Sequence, residues 1–146
     1  MREFDYNPTK RMTCEEAVSA PQPVCVLTDA DGEPQGVLVQ AFGERFVIDP
    51  KAFNDGEEMK WDDAMTALKR AGKTTFNKDQ AYVTLFLLTF INDTLLSIDG
   101  DVLASGYWTA TEYDLRFALY VNFGSYDFGY AYKSSIGVVR TIRQFS

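Results

Sequence analysis

The stretch YWTATEYDLRFALYVNF, residues 107–123, decides the fold of this chain. It is rich in the β-branched and aromatic side chains that are typical of strands. In its second part, residues 118–123, Leu119, Val121 and Phe123 occupy alternate positions and therefore share one face of a strand. We expect this face to point into the core.

Upstream of this stretch, short runs of β-branched residues alternate with turn residues. Residues 29–36, DADGEPQG, form a turn cluster between the first two runs, and Gly43 lies between the second and the third. This spacing predicts a meander of three strands, at residues 24–28, 36–42 and 45–49.

Two helices are predicted between the β-rich ends of the chain. Residues 60–71 carry apolar side chains at intervals of three and four, and Gly72 stands where a C-cap belongs. A second helix is expected at 79–90, with Asn77 or Thr75 as its N-cap, followed by a further short helix or turn. Because this second segment is apolar nearly all round, we expect it to be buried.

The order of strands, then helices, then strands predicts a single α+β domain over residues 24–146. Residues 1–23 contain three prolines and a weak apolar pattern. We expect them to form an N-terminal arm, which is either a disordered tail or a segment for docking or self-association.

Composition narrows the function. The chain has 146 residues, a net charge of −7 and no histidine. The negative charge argues against a nucleic-acid partner, and the lack of histidine removes the commonest general base and zinc ligand. Cys14 and Cys25 are expected to be two free thiols, although a pair between them stays open. We therefore expect no catalytic residues, no metal and no cofactor.

The longest apolar run, residues 82–91, is too short to span a bilayer. The N-terminus is polar and charged, without the apolar region of a signal peptide. The sequence thus predicts a soluble protein without membrane insertion, cytoplasmic or carried in a phage particle.

The stretch GSYDFGYAY, residues 124–132, places aromatic side chains on every second position. This aromatic stripe has two interpretations. One is the core-facing side of a strand, and the other is an exposed binding surface. Its members are Tyr126, Phe128, Tyr130 and Tyr132.

A resemblance joins these segments. The succession of YWTATEY, ALYVNF, a nine-residue stretch, KSS and VVRTIRQF resembles the signature of bacterial and phage C-type-lectin-like domains. It is similar to the formylglycine-generating-enzyme-like branch, which includes the variable proteins of diversity-generating retroelements. The resemblance covers residues 107–145 and is weaker upstream, where the family's LPT motif is missing. Leu119 stands where the family has Trp or Phe, and Thr141 replaces its usual Pro.

The resemblance implies two main helices packed on small antiparallel sheets, with a C-terminal β-rich binding region. In the variable proteins this region holds positions that change when adenines of a template copy are replaced. The resemblance also favours exposure of the aromatic stripe, because the scaffold supplies its own core. The ligand-binding positions it implies are Asp114, Leu115, Arg116, Tyr120, Ser125, Tyr126, Asp127, Phe128, Tyr130, Tyr132 and Ile136.

The function expected is that of a non-enzymatic module presenting residues 113–136 to an unknown protein or glycan ligand. The alternative is a fixed-specificity structural or assembly domain of a phage or bacterial particle, with the aromatic stripe in its core. Calcium-dependent sugar binding is not expected, because the EPN, QPD and WND triplets are absent. For Arg140 and Arg143, a salt bridge to Glu112 or Asp114 is favoured over a ligand role.

Overall fold

The computed structural model describes residues 10–19 and 22–145. Over these residues the chain forms four α-helices and eleven strands. The helices are α1 (Cys14–Ser19), α2 (Trp61–Ala71), α3 (Lys78–Phe86) and α4 (Leu88–Ser97). The strands are β1 (Arg11–Met12), β2 (Val24–Thr28), β3 (Pro34–Ala41), β4 (Glu44–Ile48), β5 (Met59–Lys60), β6 (Thr74–Thr75), β7 (Gly106–Glu112), β8 (Phe117–Asn122), β9 (Asp127–Tyr132), β10 (Ile136–Gly137) and β11 (Thr141–Gln144).

The described strands form three sheets, so the α+β class is confirmed. The largest has six strands in the order β1–β2–β3–β4–β11–β6, and β1 is parallel to β2. A three-stranded antiparallel sheet has the order β7–β8–β9, and β5 pairs with β10. The C-terminal strand β11 enters the large sheet beside β4, which ties the two ends of the domain together.

The predicted meander is confirmed as β2, β3 and β4. The centre of β3 is buried on both faces. Val37 and Val39 pack in the cluster that contains α3 and α4, and Leu38 packs on the other face with Met12 and Ala17. A strand with two covered faces gains from apolar residues at every position, which explains the continuous run VLV.

The interval predicted as an arm, residues 1–23, lies partly outside the described residues. Of its described part, Met12 of β1 is 3% exposed and Ala17 of α1 is fully buried. They contact Cys25 and Leu38 in one cluster. This part of the interval is therefore packed on the large sheet.

The predicted first helix is confirmed as α2. Gly72 adopts the left-handed conformation, with φ 67°, and its N–H donates to the carbonyls of Leu68 and Lys69. This is the C-cap that glycine favours. Of the two N-cap candidates for the next helix, Asn77 is correct, because its side chain and that of Gln80 form a reciprocal capping box.

The single helix predicted at 79–90 is wrong, because the segment forms two helices that meet at Leu87, with φ −103° and ψ 19°. The break contains neither Pro nor Gly. Three residues earlier, the Thr84 hydroxyl donates to the Gln80 carbonyl at 2.8 Å, a bond that tends to bend helices. The expected burial all round is also wrong, since Tyr82 is 46% and Phe86 74% exposed.

Strand β8 packs as predicted. Leu119, Val121 and Phe123 are buried, and Trp108 is fully buried. The Trp108 indole Nε1–H donates to the Met59 carbonyl at 2.9 Å. This bond connects the three-stranded sheet to the segment that precedes α2. The sheet that carries the candidate site is therefore attached to the helical part of the domain.

Candidate binding surface

Strand β9 forms the edge of the three-stranded sheet within the described residues. Its register against β8 places Phe128 opposite Val121, Tyr130 opposite Leu119 and Tyr132 opposite Phe117. Residues directly opposite each other share a face of a sheet. Three members of the aromatic stripe therefore share one face, while the residues between them point to the other side.

The face of β9 that carries the aromatic stripe starts in the core and ends in solvent. Phe128 packs against the main core and stacks on Tyr82 of α3, with ring centroids 4.0 Å apart. Farther along the strand, Tyr130 is 46% and Tyr132 57% exposed. The alternative that buries the whole stripe in the core is therefore wrong for Tyr130, for Tyr132 and for Tyr126, which is 61% exposed.

The rings at alternate positions of β9 each contact one further ring, so that three ring pairs follow one another along this face. Tyr113 lies against Tyr130 with ring centroids 4.5 Å apart, and Phe117 lies against Tyr132 at 4.6 Å. Tyr113 is itself 63% exposed. We call this group of rings the aromatic surface, and its members are Tyr82, Tyr113, Phe117, Phe128, Tyr130 and Tyr132.

The turn between β7 and β8 carries three of the predicted site residues. The Asp114 carboxylate accepts hydrogen bonds from the backbone N–H groups of Arg116 and Phe117, both at 2.8 Å. Asp114 thus shapes the turn, which is a common task of Asp at this position. The turn presents Leu115 at its tip, 92% exposed, beside the aromatic surface.

The turn between β8 and β9 carries Ser125 and Tyr126. The Asn122 side-chain oxygen accepts from the N–H groups of Gly124 and Ser125, at 2.9 and 3.2 Å. Asn122 therefore shapes this turn through its side chain. Tyr126 adopts the left-handed conformation, with φ 56°. Ile136 lies on β10, where it pairs with Lys60 and is 55% exposed.

Tyr120 and Asp127 lie on the opposite face of the sheet from the aromatic surface. The Tyr120 ring fills a slot beside Trp108, with centroids 5.1 Å apart. A Cβ added to Gly106 would come within 1.7 Å of the Tyr120 hydroxyl, and one added to Gly137 within 2.8 Å of its ring. Burial, and then the charge of Glu58, raise the pKa of Tyr120. Tyr120 is therefore part of the support of the sheet.

The face that holds Tyr120 forms a shallow recess of about 180 Å³. Gly129 has open space where a side chain would stand, and the Asp127 carboxylate accepts from the Phe128 N–H at 2.9 Å. The predicted site residues thus divide between the two faces of the three-stranded sheet, its two turns and, for Ile136, strand β10. Of these predicted residues, three belong to the aromatic surface and contact its other rings. They are Phe128, Tyr130 and Tyr132.

A cluster around Lys133 holds the far end of β9. Lys133 pairs with Glu112, and its ammonium lies 4.6 Å from the centre of the Trp61 ring. The Trp61 Nε1–H donates to the Thr109 carbonyl at 2.9 Å. These contacts connect β7, β9 and the start of α2, so the exposed end of the aromatic surface has a fixed base.

The prediction that Arg140 and Arg143 pair with Glu112 or Asp114 is wrong. Arg140 is fully buried and donates to the carbonyls of Asp49 and Asp101, at 3.1 and 2.7 Å. Arg143 pairs with the Asp49 carboxylate at 3.5 Å. Strand β11 lies beside β4 rather than beside β7, which places both arginines away from the aromatic surface.

Sequence reasoning missed three members of the aromatic surface as site residues. Tyr113 and Phe117 flank the Asp114 turn, and the hairpin register of β7, β8 and β9 brings them against β9. Tyr82 was hidden in the apolar segment that predicted a buried helix. Hairpin pairing could have indicated the first two, but the position of Tyr82 depends on how α3 crosses the sheet.

Cys14 is exposed and Cys25 buried, and both are free thiols, as predicted. Across residues 10–19 and 22–145, His, Cys, Asp and Glu form no group of three that could hold a metal ion. Within the same residues, no helix has the length and apolar character needed to cross a membrane.

The chain matches no protein-family model, and a search of curated proteins also gives no match.

Proposed function

We propose that this chain is a non-enzymatic ligand-binding protein with a C-type-lectin-like fold, which presents residues 113–136 to a protein or glycan ligand. The observation that carries this proposal is the aromatic surface. Its rings contact each other in pairs, yet Tyr113, Tyr130 and Tyr132 remain 46 to 63% exposed. Contiguous exposed apolar patches on soluble proteins commonly mark sites of interaction.

Tyrosine suits such a surface. Its ring offers a large, stiff contact area with few rotatable bonds, and its hydroxyl can hydrogen-bond to a ligand. The fixed support beneath the sheet, through Trp108 and Lys133, lowers the entropy that binding would cost. A flat aromatic face of this kind can stack on apolar side chains or on the C–H face of a sugar ring.

The sharpest version of the proposal is a retroelement-diversified variable protein. Five large hydrophobic residues at its candidate positions are at least 46% exposed, and surface substitutions usually change stability little. They are Leu115, Tyr126, Tyr130, Tyr132 and Ile136. Such positions suit variation, whereas Asp114 and Tyr120 have structural tasks that restrict it.

Sequencing the DNA that flanks the gene tests diversification. We expect a near-copy of the 3′ end beside a reverse transcriptase gene, differing at adenines in the codons of residues 114–136. A flank with neither feature would contradict this version and leave a fixed-specificity domain.

A binding assay tests the aromatic surface itself. Ligands for the wild-type chain are selected from a printed glycan array and a displayed peptide library. We expect Tyr130→Ser and Tyr132→Ser each to weaken the selected ligand about tenfold or more, as for interface hot spots. Leu96→Ser, at a 63% exposed position on α4, serves as the control. Equal binding by all three variants would refute the proposed site.

A further inference from the structure

A second group of exposed aromatic rings lies next to the aromatic surface, on the scaffold. Phe42 is 68% and Phe86 74% exposed, and their rings meet edge to face with centroids 5.1 Å apart. Phe42 is the first residue of the two-residue turn between β3 and β4. Because these two large rings contact each other rather than the core, their burial contributes little to the stability of the fold.

The backbone at Phe42 makes its position more unusual. Phe42 and Gly43 have φ angles of 54° and 80°, so both residues of the turn are left-handed. A hairpin turn of this kind favours Asn, Asp or Gly at its first position. A phenylalanine there is sterically disfavoured, which is consistent with selection for the ring itself rather than for the turn.

These rings form one wall of a cleft of about 420 Å³. Its lining combines aromatic rings with carboxylates, and consists of Phe42, Glu44, Asp79, Tyr82, Val83 and Phe86. Among the described residues, neither Glu44 nor Asp79 forms an ion pair. Lys78 lies close by, with its ammonium 6.0 Å from the Tyr82 ring centre, but does not line the cleft.

Aromatic walls with unpaired carboxylates complement a cation. A guanidinium stacks on aromatic rings and pairs with carboxylates through its planar donors. The net charge of −7 further favours a cationic partner. The cleft also adjoins the aromatic surface, because Tyr82 lines the cleft and stacks on Phe128.

We propose that this cleft takes up an arginine side chain of a protein ligand whose neighbouring residues lie on the aromatic surface. This inference rests on the proposed function and specifies the ligand as a protein. Glu44 and Asp79 supply the charge, and the rings of Phe42, Tyr82 and Phe86 supply the stacking faces. The site lies outside residues 113–136, so it would stay constant while the ligand-binding positions vary.

Titration of the ¹⁵N-labelled full chain with N-acetylarginine amide tests the cleft. We expect saturable amide shifts confined to residues 42–44 and 79–86. N-acetylcitrulline amide, the neutral isostere, should bind about two- to fivefold more weakly, as expected for an exposed cation–aromatic contact. Added salt should reduce the difference. Equal binding of citrulline amide or of N-acetyllysine amide, or the lack of a saturable shift in the tens of millimolar range, would overturn the assignment.

Matched variants locate the charge. Asp79→Asn and Glu44→Gln should weaken the arginine probe, while Glu57→Gln, at an exposed carboxylate outside the cleft, should not. Unchanged spectra elsewhere report that each variant is folded. If Asp79→Asn and Glu44→Gln both bind the probe like the wild type, the proposal fails. Such a failure would leave the dependence of ligand binding on Tyr130 and Tyr132 intact, so the two proposals fail separately.

Discussion

Arg140 gives the most demanding test of the fold, because it is a fully buried cation without a carboxylate partner among the described residues. Its guanidinium donates to the carbonyls of Asp49 and Asp101, at 3.1 and 2.7 Å. It thereby ties the segment after β4 to the segment after α4. Arg140→Met keeps the apolar stem of the side chain and removes the donors.

The expected loss of stability follows from two opposing terms. Hydrogen bonds to a charged group contribute about 1.5–3 kcal/mol each, so losing two costs about 3–6 kcal/mol. Removing a buried cation returns part of its desolvation penalty, and apolar replacements of buried ions are sometimes neutral. We expect a net loss of about 2–4 kcal/mol, a large part of the 5–15 kcal/mol that typically stabilises a domain.

Urea unfolding followed by circular dichroism measures this loss, with Arg143→Met as the matched control. Arg143 lies three residues farther along the chain, has a side chain 48% exposed, pairs with Asp49 at 3.5 Å and donates to the Gln35 carbonyl at 2.7 Å in an exposed setting. An exposed pair of this kind contributes about 0–1 kcal/mol. If the two variants lose equal stability, or if Arg140→Met is more stable than the wild type, then the carbonyl bonds of Arg140 do not stabilise the fold.

Three further outcomes follow from local geometry. Phe42→Asn should leave the free energy of unfolding unchanged or raise it by up to about 1 kcal/mol, because Asn tolerates the left-handed turn. Urea unfolding measures this change, and a clear loss of stability would show that the Phe42 ring stabilises the fold. Gly106→Ala should lower the free energy of unfolding by about 1–3 kcal/mol through overpacking against Tyr120. Tyr120→Ala should then cost less stability in the Gly106→Ala background than in the wild type. Additive losses in this double-mutant cycle would contradict close packing of Tyr120 against Gly106. Burial raises the pKa of the Cys25 thiol from 9.0 to about 11, so its contribution to stability is complete below pH 9.0 and is lost between pH 9.0 and about 11, with a slope of at most about 1.4 kcal/mol per pH unit. The difference in free energy of unfolding between wild type and Cys25→Ala across that pH range measures this loss, and a pH-independent difference would contradict the raised pKa. A thiol reagent should modify native Cys14 but not Cys25.

Much of the secondary structure could be predicted because its signals are local. The period of three and four and the glycine C-cap indicated α2, and the Asn77 cap marked the start of α3. The break at Leu87 could not be predicted, since no residue there forbids a helix. The exposure of Phe86 also escaped, because periodicity counts apolar residues and does not tell what covers them.

The candidate site was predictable in part for the same reason. Alternation correctly placed Phe128, Tyr130 and Tyr132 on one face of a strand. Alternation does not show which of these rings are covered by the rest of the chain. That depends on how far α3 extends across the sheet. The separation of Tyr120 from that face also follows from period two, since Tyr120 lies opposite Gly129. Resemblance had grouped it with the others by sequence alone.

The two faces of β9 explain how an exposed aromatic surface is compatible with a stable domain. On the side away from the aromatic surface, Ala131 packs against the cluster that contains Trp108, whose indole donates a hydrogen bond to the backbone before α2. On the same side, Gly106 and Gly137 leave room for the Tyr120 ring. Because Ala131 packs on this side and Phe128 packs in the main core on the other, the strand is held without Tyr130 and Tyr132. The domain can therefore leave them open to solvent, held on a rigid base, which is the arrangement that a binding surface requires.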